Sequence, residues 1–341
     1  MTSLAGKKLL LAPLDWGLGH ATRCVPVIKE LLSIGSEVWL AGEGAQEKLL
    51  REEFPSLPFL PLKGYRVKYG KTGLTGRLVL QIPSILQSIK SENNWLKEQV
   101  SKYQFDGVIS DNRYGLHHET IFSVFITHQL GIKSSLGKWS EKILQQWNYK
   151  FINRFHECWV PDEEGQNNLA GELSHPVKFP AIPVKYIGGL SRFKKKDVAE
   201  IKDHLLITLS GPEPQRTILE NRIIDEVVNY NGTATIARGL PAERNIIPST
   251  NTIHFHNHLS SEELNNEAMK AALIIGRSGY SNVMDIAALQ KKSILIPTPG
   301  QTEQEYLADH LMKKRFAFCI NQNEFSLLKN IEEAGRFDYR F

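Results

Sequence analysis

Cysteine is scarce in this sequence, and long apolar runs are missing. The three cysteines, Cys24, Cys158 and Cys319, are far apart in a chain of 341 residues and form no Cys-x-x-Cys pair. This spacing excludes a disulfide-rich scaffold and favours reduced thiols. The apolar run at residues 9–13 is too short for the hydrophobic region of a signal peptide, and no stretch is long enough to span a membrane. We therefore expect a cytoplasmic protein.

A large excess of charge of one sign is also absent. The formal net charge is +4, which is too mild to indicate a nucleic-acid partner. The short basic run at residues 192–196 is typical of a solvated linker, with a nucleic-acid contact as the alternative. Hydrophobic residues make up 41% of the sequence, which is ordinary for a globular protein. The length allows two domains with full cores.

The most informative pattern lies in residues 271–311. An apolar run of strand length, 271–275, ends at the glycine-rich turn Gly276-Arg277-Ser278-Gly279, and a helix-period segment follows. A second apolar run, 293–297, leads through a polar loop into another helix near Glu303. This alternation predicts an α/β fold. Because a glycine-rich turn before a helix offers free N–H groups to an anion, we expect a phosphate or diphosphate there.

Two motifs in this stretch carry a resemblance to a known family. Arg-Ser-Gly-x-x-x-Val-x-Asp-Ile-Ala begins at Arg277, and Pro-x-Pro-x-x-x-x-Gln-Glu-Tyr begins at Pro297. Their order is similar to the donor-binding motif of GT-B glycosyltransferases of the family 28 type, and the resemblance is weaker in the first half of the chain. It implies an α/β protein with two Rossmann-like parallel-sheet domains that face a cleft. It also implies a nucleotide-sugar donor as substrate, with no separate cofactor.

The resemblance suggests how the chain is divided. We expect an acceptor-side domain at residues 1–190, a linker at 191–203 and a donor-binding domain at 204–341. A terminal helix near residues 324–335 is expected to cross back onto the first domain.

The first domain opens with a strand at residues 8–13, the turn Gly17-Leu-Gly-His20 and a helix. Later strands are predicted at residues 105–111, 131–136 and 157–161. This start is typical of a βαβ unit and a parallel sheet. A dinucleotide fingerprint is a weak alternative, because Thr22 stands where its third glycine belongs. The resembled family carries a Gly-Gly-His element near the acceptor, from which this turn departs.

His20 and Asp111 both follow strands of the first domain. Ligands of open α/β sheets bind beyond the carboxyl ends of the strands. A histidine held by a carboxylate is a competent general base, because the carboxylate fixes its tautomer and stabilises the imidazolium. Glycosyltransferases of the resembled fold use such a pair, so we expect His20 to be the base and Asp111 to orient it. The alternative is that His20 only packs or caps a helix.

The resemblance also implies a set of donor-side residues. They are Ser210, Gly211, Arg216, His256, Arg277, Ser278, Gly279, Asp285, Gln304 and Glu305. Arg277 and the N–H groups of Ser278 and Gly279 would hold the departing diphosphate. Asp285 matches the ribose-binding acid of the family, which is usually the longer Glu; the alternative is an exposed helix carboxylate.

The remaining donor residues are assigned in the same way. Gln304 and Glu305 match a pair that hydrogen-bonds the sugar hydroxyls, although the family usually has two glutamines and Glu305 could select a different sugar. Ser210, Gly211 and Arg216 follow the strand at residues 204–209 and would face the phosphates. The backbone around His256 would lie beside the nucleotide base. His254, His256 and His258 could instead form a metal triad, but no carboxylate or cysteine accompanies them, so we expect no metal.

A basic and aromatic segment at residues 64–71 precedes a mostly apolar segment at 74–86. Together they could form a membrane-facing patch for a lipid-linked acceptor. In that case the protein would lie peripherally at the inner face of the membrane. The alternative is a loop and a core helix.

The sequence therefore predicts an inverting, metal-independent glycosyltransferase that uses a UDP-sugar, with UDP-N-acetylglucosamine as one candidate. The acceptor would be a hydroxyl on a small molecule or a lipid-linked molecule. Two alternatives are open. A UDP-sugar 2-epimerase shares this fold and donor, and a non-catalytic sugar-nucleotide-binding protein would need no base.

Overall fold

The computed structural model describes residues 2–65, 74–241 and 243–341. The chain divides into two compact units, Met1–Ser191 and Arg192–Phe341. Each unit has a parallel β-sheet with helices between most successive strands, which confirms the predicted α/β class with two Rossmann-like domains. Most of the basic and aromatic segment proposed for membrane contact, residues 66–71, lies outside the described residues.

The first unit contains a seven-stranded sheet in its described part. Its strands are β1 (Lys8–Pro13), β2 (Glu37–Gly42), β3 (Phe59–Pro61), β4 (Gly107–Asp111), β5 (Phe122–Ile126), β6 (Glu157–Val160) and β7 (Val184–Tyr186). Its helices are α1 (Leu18–Ser33), α2 (Gly44–Glu53), α3 (Leu74–Tyr103) and α4 (Lys138–Ile152). The strand order is β3-β2-β1-β4-β5-β6-β7, and all neighbours are parallel.

The centre of this sheet explains where the first site forms. Leu9, Leu10 and Leu11 of β1 are at most 1% exposed, as expected for a strand covered on both faces. The register between β1 and β4 sets Pro13 opposite Asp111, so both strands end at the same edge. The turn into α1 therefore begins beside Asp111.

The second unit contains a six-stranded sheet in its described part. Its elements are β8 (His204–Thr208), α5 (Gln215–Val227), β9 (Thr233–Ala237), β10 (Ile253–His256), α6 (Ser261–Lys270), β11 (Leu273–Gly276), α7 (Tyr280–Leu289), β12 (Ser293–Leu295), α8 (Thr302–Lys313), β13 (Phe318–Cys319) and α9 (Leu327–Gly335). The order is β10-β9-β8-β11-β12-β13, all parallel. Because β11 lies between β8 and β12, the turns that follow these three strands meet at one edge.

One sequence prediction about an element is wrong. Residues 131–136 do not form a strand; the strand between β4 and β6 is β5, whose side chains are almost all buried. Gly131 instead packs against a neighbouring segment, and a Cβ there would lie 2.3 Å from the carbonyl oxygen of Glu172. Helix α9 buries Leu327 and Ala334 in the core of the second unit, and its crossing onto the first domain stays a prediction. No helix among the described residues is long and apolar enough to cross a membrane.

Candidate functional site

The structure brings His20 and Asp111 together. Gly17 precedes α1 with φ 83°, a conformation that suits glycine, and it lets the chain turn sharply from β1 into the helix. His20 lies in the first turn of α1, and its Nδ1 is 3.1 Å from Oδ2 of Asp111 at the end of β4. Asp111 is completely buried, while the His20 side chain is 16% exposed. A carboxylate thus holds one ring nitrogen of a histidine that reaches the surface.

Arg23 belongs to the same cluster, although sequence reasoning missed it. It lies one helical turn after His20, and its Nε donates to both carboxylate oxygens of Asp111, at 3.1 and 2.9 Å. Its Nη2 donates to Oδ1 of Asp111 and lies 2.9 Å from Nδ1 of His20. Nη1 is 3.2 Å from Nδ1 of His128. The spacing of three between His20 and Arg23 is the signal that could have revealed it, because such residues share a helix face.

The charges in this cluster decide which groups ionise. Burial alone would raise the pKa of Asp111, but Arg23 and His20 outweigh it and lower that pKa to about 2. The pKa of His20 is lowered from its usual value by burial and by Arg23, against the opposing effect of Asp111. Asp111 is therefore a carboxylate and His20 a neutral imidazole at neutral pH, which is the state that a general base needs.

A second buried network braces the neighbouring loops. Arg113 follows β4, is fully buried and pairs with Glu92 of α3 through a 2.5 Å contact between Nε and Oε1. Glu92 also accepts from the hydroxyl of Tyr65 at 2.9 Å and from the N–H of Gly115 at 2.7 Å. Nη1 of Arg113 donates to the carbonyl of Pro13 at 3.2 Å. This network ties the ends of β1 and β4 to α3 and so fixes the edge where His20 lies.

In the second unit, Gly211, Arg277 and Thr298 come together from three turns. Gly211 follows β8 with φ 103°, and a Cβ there would lie 3.3 Å from Oγ1 of Thr298 and 3.8 Å from Nε of Arg277. Thr298 is 1% exposed, and its Oγ1 has no hydrogen-bond partner among the residues that the structure describes. Thr298 was not among the predicted site residues. An oxyanion ligand could accept hydrogen bonds from both the unpaired hydroxyl of Thr298 and the buried guanidinium of Arg277.

Arg277 is a buried cation that bonds to carbonyls. It is 2% exposed, and its Nη2 donates to the carbonyl of Gln215 at 2.8 Å. Longer contacts of 3.4 Å reach the carbonyls of Ser210, Ile296 and Pro297. No carboxylate in the described part of the chain forms an ion pair with it. Burial lowers its pKa to about 10, which still leaves it charged at neutral pH.

The other predicted donor residues on this edge shape the loop before α8. The Oγ of Ser278 donates to the carbonyl of Gln304 at 2.8 Å, and Oε1 of Gln304 accepts from the N–H of Thr298 at 2.9 Å. Oε1 of Glu305 accepts from the N–H of Gly300 at 2.8 Å. Gln304 also approaches Gly279, where a Cβ would lie 3.8 Å from its Nε2. The structure therefore places Ser278, Gly279 and Gln304 side by side.

Arg216 and His256 have partners that sequence reasoning missed. Arg216 is buried and pairs with Glu213 at 2.6 Å and with Glu220 at 3.1 Å, so its charge is already neutralised inside the unit. The guanidinium of Arg238 also pairs with Glu220, at 2.7 Å. The backbone N–H of Arg238 donates to the backbone carbonyl of His256 at 2.8 Å. The phosphate contact of Arg216 and the base contact of His256 stay predictions.

Ser210 and Asp285 complete the predicted set. Ser210 is exposed in the turn after β8, and Asp285 is half-buried on α7. The metal alternative at His254, His256 and His258 gains no support: in the described ranges, no three His, Cys, Asp or Glu side chains are grouped to hold a metal ion.

The sequence is similar to known glycosyltransferases. Residues 250–337 match the glycosyltransferase family 28 C-terminal domain. The chain is 24% identical, over 336 residues, to a UDP-N-acetylglucosamine--N-acetylmuramyl-(pentapeptide) pyrophosphoryl-undecaprenol N-acetylglucosamine transferase from Haemophilus ducreyi, covering 94% of this chain and 86% of that protein. This match and the family 28 domain confirm the predicted resemblance to family 28 and the prediction of a glycosyltransferase.

Solved structures share the fold. MurG from Acinetobacter baumannii superposes with a TM-score of 0.57 at 14% identity, covering 97% of this chain and 91% of that one. The glycotransferase of kitacinnamycin superposes with a TM-score of 0.67 at 12% identity, with the same coverages. Such identities bear on the fold alone, and they agree with the predicted GT-B architecture.

Proposed function

We propose that this glycosyltransferase moves a sugar from a UDP-sugar to an acceptor hydroxyl with inversion at the anomeric carbon. The observation that carries the proposal is the His20–Asp111 pair, a neutral imidazole held by a buried carboxylate at the carboxyl edge of the first sheet. A non-catalytic binding protein needs no such pair. The family 28 match supports a nucleotide-sugar donor on the second unit.

The proposed reaction is a single displacement. His20 Nε2 takes the proton of the acceptor hydroxyl while the acceptor oxygen forms a bond to the anomeric carbon. The bond from that carbon to the diphosphate oxygen breaks, and UDP leaves with the electron pair. The base raises the nucleophilicity of the hydroxyl, and Asp111 stabilises the imidazolium that forms.

The leaving group would be held by the second unit. Arg277 is a buried cation that lacks a carboxylate partner among the described residues, Thr298 has an unpaired hydroxyl, and the N-terminus of α7 begins at Tyr280. All three features favour negative charge at this edge of the sheet. The Haemophilus ducreyi relative is a UDP-N-acetylglucosamine transferase, which supports a UDP-linked N-acetylhexosamine donor here. Glu305, which stands where the family usually has Gln, is the residue through which another sugar could be preferred.

Asp285 should contribute to UDP affinity through the ribose. Because a carboxylate can accept from both hydroxyls of a cis-diol, Asp285→Ala should weaken UDP binding by about 1.5–3 kcal/mol. Calorimetry with UDP measures this directly. The matched control is Asp309→Ala, which removes an exposed helix carboxylate that pairs with Lys313. Equal UDP affinity in wild type and Asp285→Ala would remove the ribose role.

A peripheral position on the membrane, with a lipid-linked acceptor, is the second part of the proposal. Helix α4 exposes Trp139 (67%), Ile143 (46%) and Trp147 (46%), which follow one another at a spacing of four and therefore share one face. Lys138, Lys142 and Lys150 of the same helix are exposed. Tryptophan and lysine on one interfacial helix suit a surface of anionic lipids. The relative named above acts on an undecaprenol-linked substrate, which agrees with this chemistry.

A groove beside this helix suits the head of such an acceptor. It lies between α3 and α4 and has a volume of about 360 Å³. Leu86, Ile89 and Phe151 give it an apolar lining, and Lys90 and Arg154 add positive charge. The polar side chains of Asn93 and His117 complete the lining. An amphiphile with an anionic group would satisfy both kinds of lining.

Removing the two tryptophans should release the protein from vesicles. Each tryptophan that enters the lipid should contribute roughly 1.5–3 kcal/mol to the free energy of membrane binding. Trp139→Ala/Trp147→Ala should therefore bind anionic phospholipid vesicles at least about tenfold more weakly in co-sedimentation. Val228→Ala/Ile246→Ala, which removes two exposed apolar side chains of the second unit, should bind like wild type. Wild-type affinity in the double tryptophan variant would contradict this surface, and equal binding to neutral vesicles would contradict the role of the lysines.

One experiment separates the three candidate functions. The protein is incubated with a panel of UDP-sugars, with and without a cell extract as acceptor source, in the presence of EDTA. A transferase releases UDP only when an acceptor is present, a 2-epimerase produces the epimeric sugar without an acceptor, and a binding protein does neither. We expect acceptor-dependent UDP release that survives EDTA, because Arg277 and the helix N-terminus supply the positive charge. Activity lost in EDTA and restored by Mg²⁺ or Mn²⁺ would contradict metal independence.

A further inference from the structure

Asp111 does not act on His20 alone, because Arg23 occupies most of its carboxylate. Both carboxylate oxygens accept from the guanidinium of Arg23, and Oδ2 also faces His20 Nδ1 at 3.1 Å and Cys24 Sγ at 3.6 Å. Arg23 is 3% exposed, so this ion pair is out of water. The negative charge that would otherwise favour a protonated His20 is therefore largely balanced by a cation in contact with it.

Nδ1 of His20 has two competing partners. It lies 3.1 Å from Oδ2 of Asp111 and 2.9 Å from Nη2 of Arg23. A carboxylate can only accept and a guanidinium can only donate. If Nδ1 carries the proton, it donates to Asp111 and leaves Nε2 free as a base. If Nδ1 is bare, it accepts from Arg23 and the proton is on Nε2, which then cannot act as a base.

We propose that Arg23 is a positioning residue for the base: it fixes Asp111 by a two-oxygen ion pair and opposes protonation of His20, so that the imidazole stays neutral in the buried cluster. This inference rests on the proposed role of His20 as general base. A second positive charge on His20 would lie 2.9 Å from the buried guanidinium of Arg23, which is unfavourable. Arg23 also weakens the preference of His20 for the tautomer whose Nδ1 donates to Asp111, because the other tautomer can accept a hydrogen bond from Arg23.

The charged and titratable groups that face His20 come from three elements. Arg23 on α1 is the nearest cation, Asp111 on β4 is the anion, and His128 after β5 lies beyond Arg23, with its Nδ1 3.2 Å from Nη1. Cys24 contacts Asp111, and burial raises the pKa of its thiol well above the usual value, so it stays protonated. Arg23 and Asp111 are the two charged groups that contact His20 in the described part of the chain, and they act on it in opposite directions.

The titration of His20 tests this inference in the protein without substrate. Its protonation is followed by NMR of the imidazole in wild type, Arg23→Gln and Asp111→Asn. The pKa of His20 should rise by about 1–3 units in Arg23→Gln, because Asp111 is then unopposed, and should fall in Asp111→Asn, because Arg23 is then unopposed. Arg336→Gln, an exposed arginine of the second unit, is the control and should leave it unchanged. A His20 pKa in Arg23→Gln equal to or below that of wild type would overturn the proposal.

A second pair of variants keeps the test valid if Arg23→Gln does not fold. Arg23→Gln/Asp111→Asn removes both buried charges and leaves neither unpaired. The pKa of His20 should be higher in this double variant than in Asp111→Asn, and equal values would overturn the proposal. Arg23→Lys keeps the positive charge and should keep the pKa of His20 low. The NMR result does not depend on transfer activity, so failure of the proposed function and failure of this inference are distinguishable. Where activity is measured, the acid limb of kcat/KM in Arg23→Gln should move to higher pH.

Discussion

His20→Ala should lower turnover by roughly 10²–10⁴, the usual share of general-base catalysis. The affinity for the UDP-sugar should change little, because the donor residues are predicted on the second unit. Steady-state kinetics with the accepted acceptor measures the first quantity, and calorimetry with UDP measures the second. Asp111→Asn should also lower turnover, since the imidazole loses the carboxylate that orients it and stabilises its charged form.

The pH dependence of the wild-type enzyme provides an independent check on the base. Burial and Arg23 lower the pKa of His20 below its usual 6.5, so the base is neutral and active above that lowered value. The rate should therefore fall only as the pH drops through a value below 6.5, and this acid limb should disappear in His20→Ala. Wild-type turnover in His20→Ala would remove the mechanism and leave a sugar-nucleotide site without an assigned base.

Arg277→Met should weaken UDP binding by roughly 10²–10³, the effect of losing about two charge-assisted hydrogen bonds to the diphosphate. The melting temperature of the unliganded protein should change little. Arg277 has no carboxylate partner among the described residues, so its removal leaves no unpaired buried anion behind. Thermal denaturation with and without UDP separates the two effects, because UDP should stabilise the wild type but not the variant at the same concentration.

The matched control for Arg277→Met is Arg336→Met, which removes an exposed arginine of the same unit that pairs with Glu332. This control should bind UDP like the wild type. If Arg277→Met lowers the melting temperature of the unliganded protein but binds UDP with wild-type affinity, Arg277 is a structural residue and the positive charge at this edge must come from the helix N-terminus.

The parallel sheets could be predicted from the sequence because their strands are short apolar runs followed by glycine-rich turns. The pairing of His20 with Asp111 was also within reach, since both residues follow strands and the carboxyl ends of adjacent parallel strands meet. The strand at residues 122–126 was missed because it alternates little and lies near polar segments. Helix α9 was predicted close to its observed bounds, but a sequence pattern shows only that a helix has an apolar face, not which residues that face packs against.

The residues missed at the sites have a common physical reason. Arg23 lies on a helix whose neighbouring residues are buried, and a lone arginine in a sequence normally indicates an exposed position. Trp139, Ile143 and Trp147 have the spacing of a core-facing helix, and only the fold shows that this face is exposed. Thr298 has no distinctive sequence signal at all. In each case the deciding fact is burial, which depends on the tertiary packing.

The configuration of the transferred sugar tests the central claim most directly. A single displacement with His20 as base forms the new bond on the face opposite to the leaving UDP. The coupling constant of the anomeric proton in the purified product, measured by NMR against that of the UDP-sugar, reports this geometry. The single displacement proposed here predicts an inverted anomeric centre, and a product with the same anomeric configuration as the donor would contradict it.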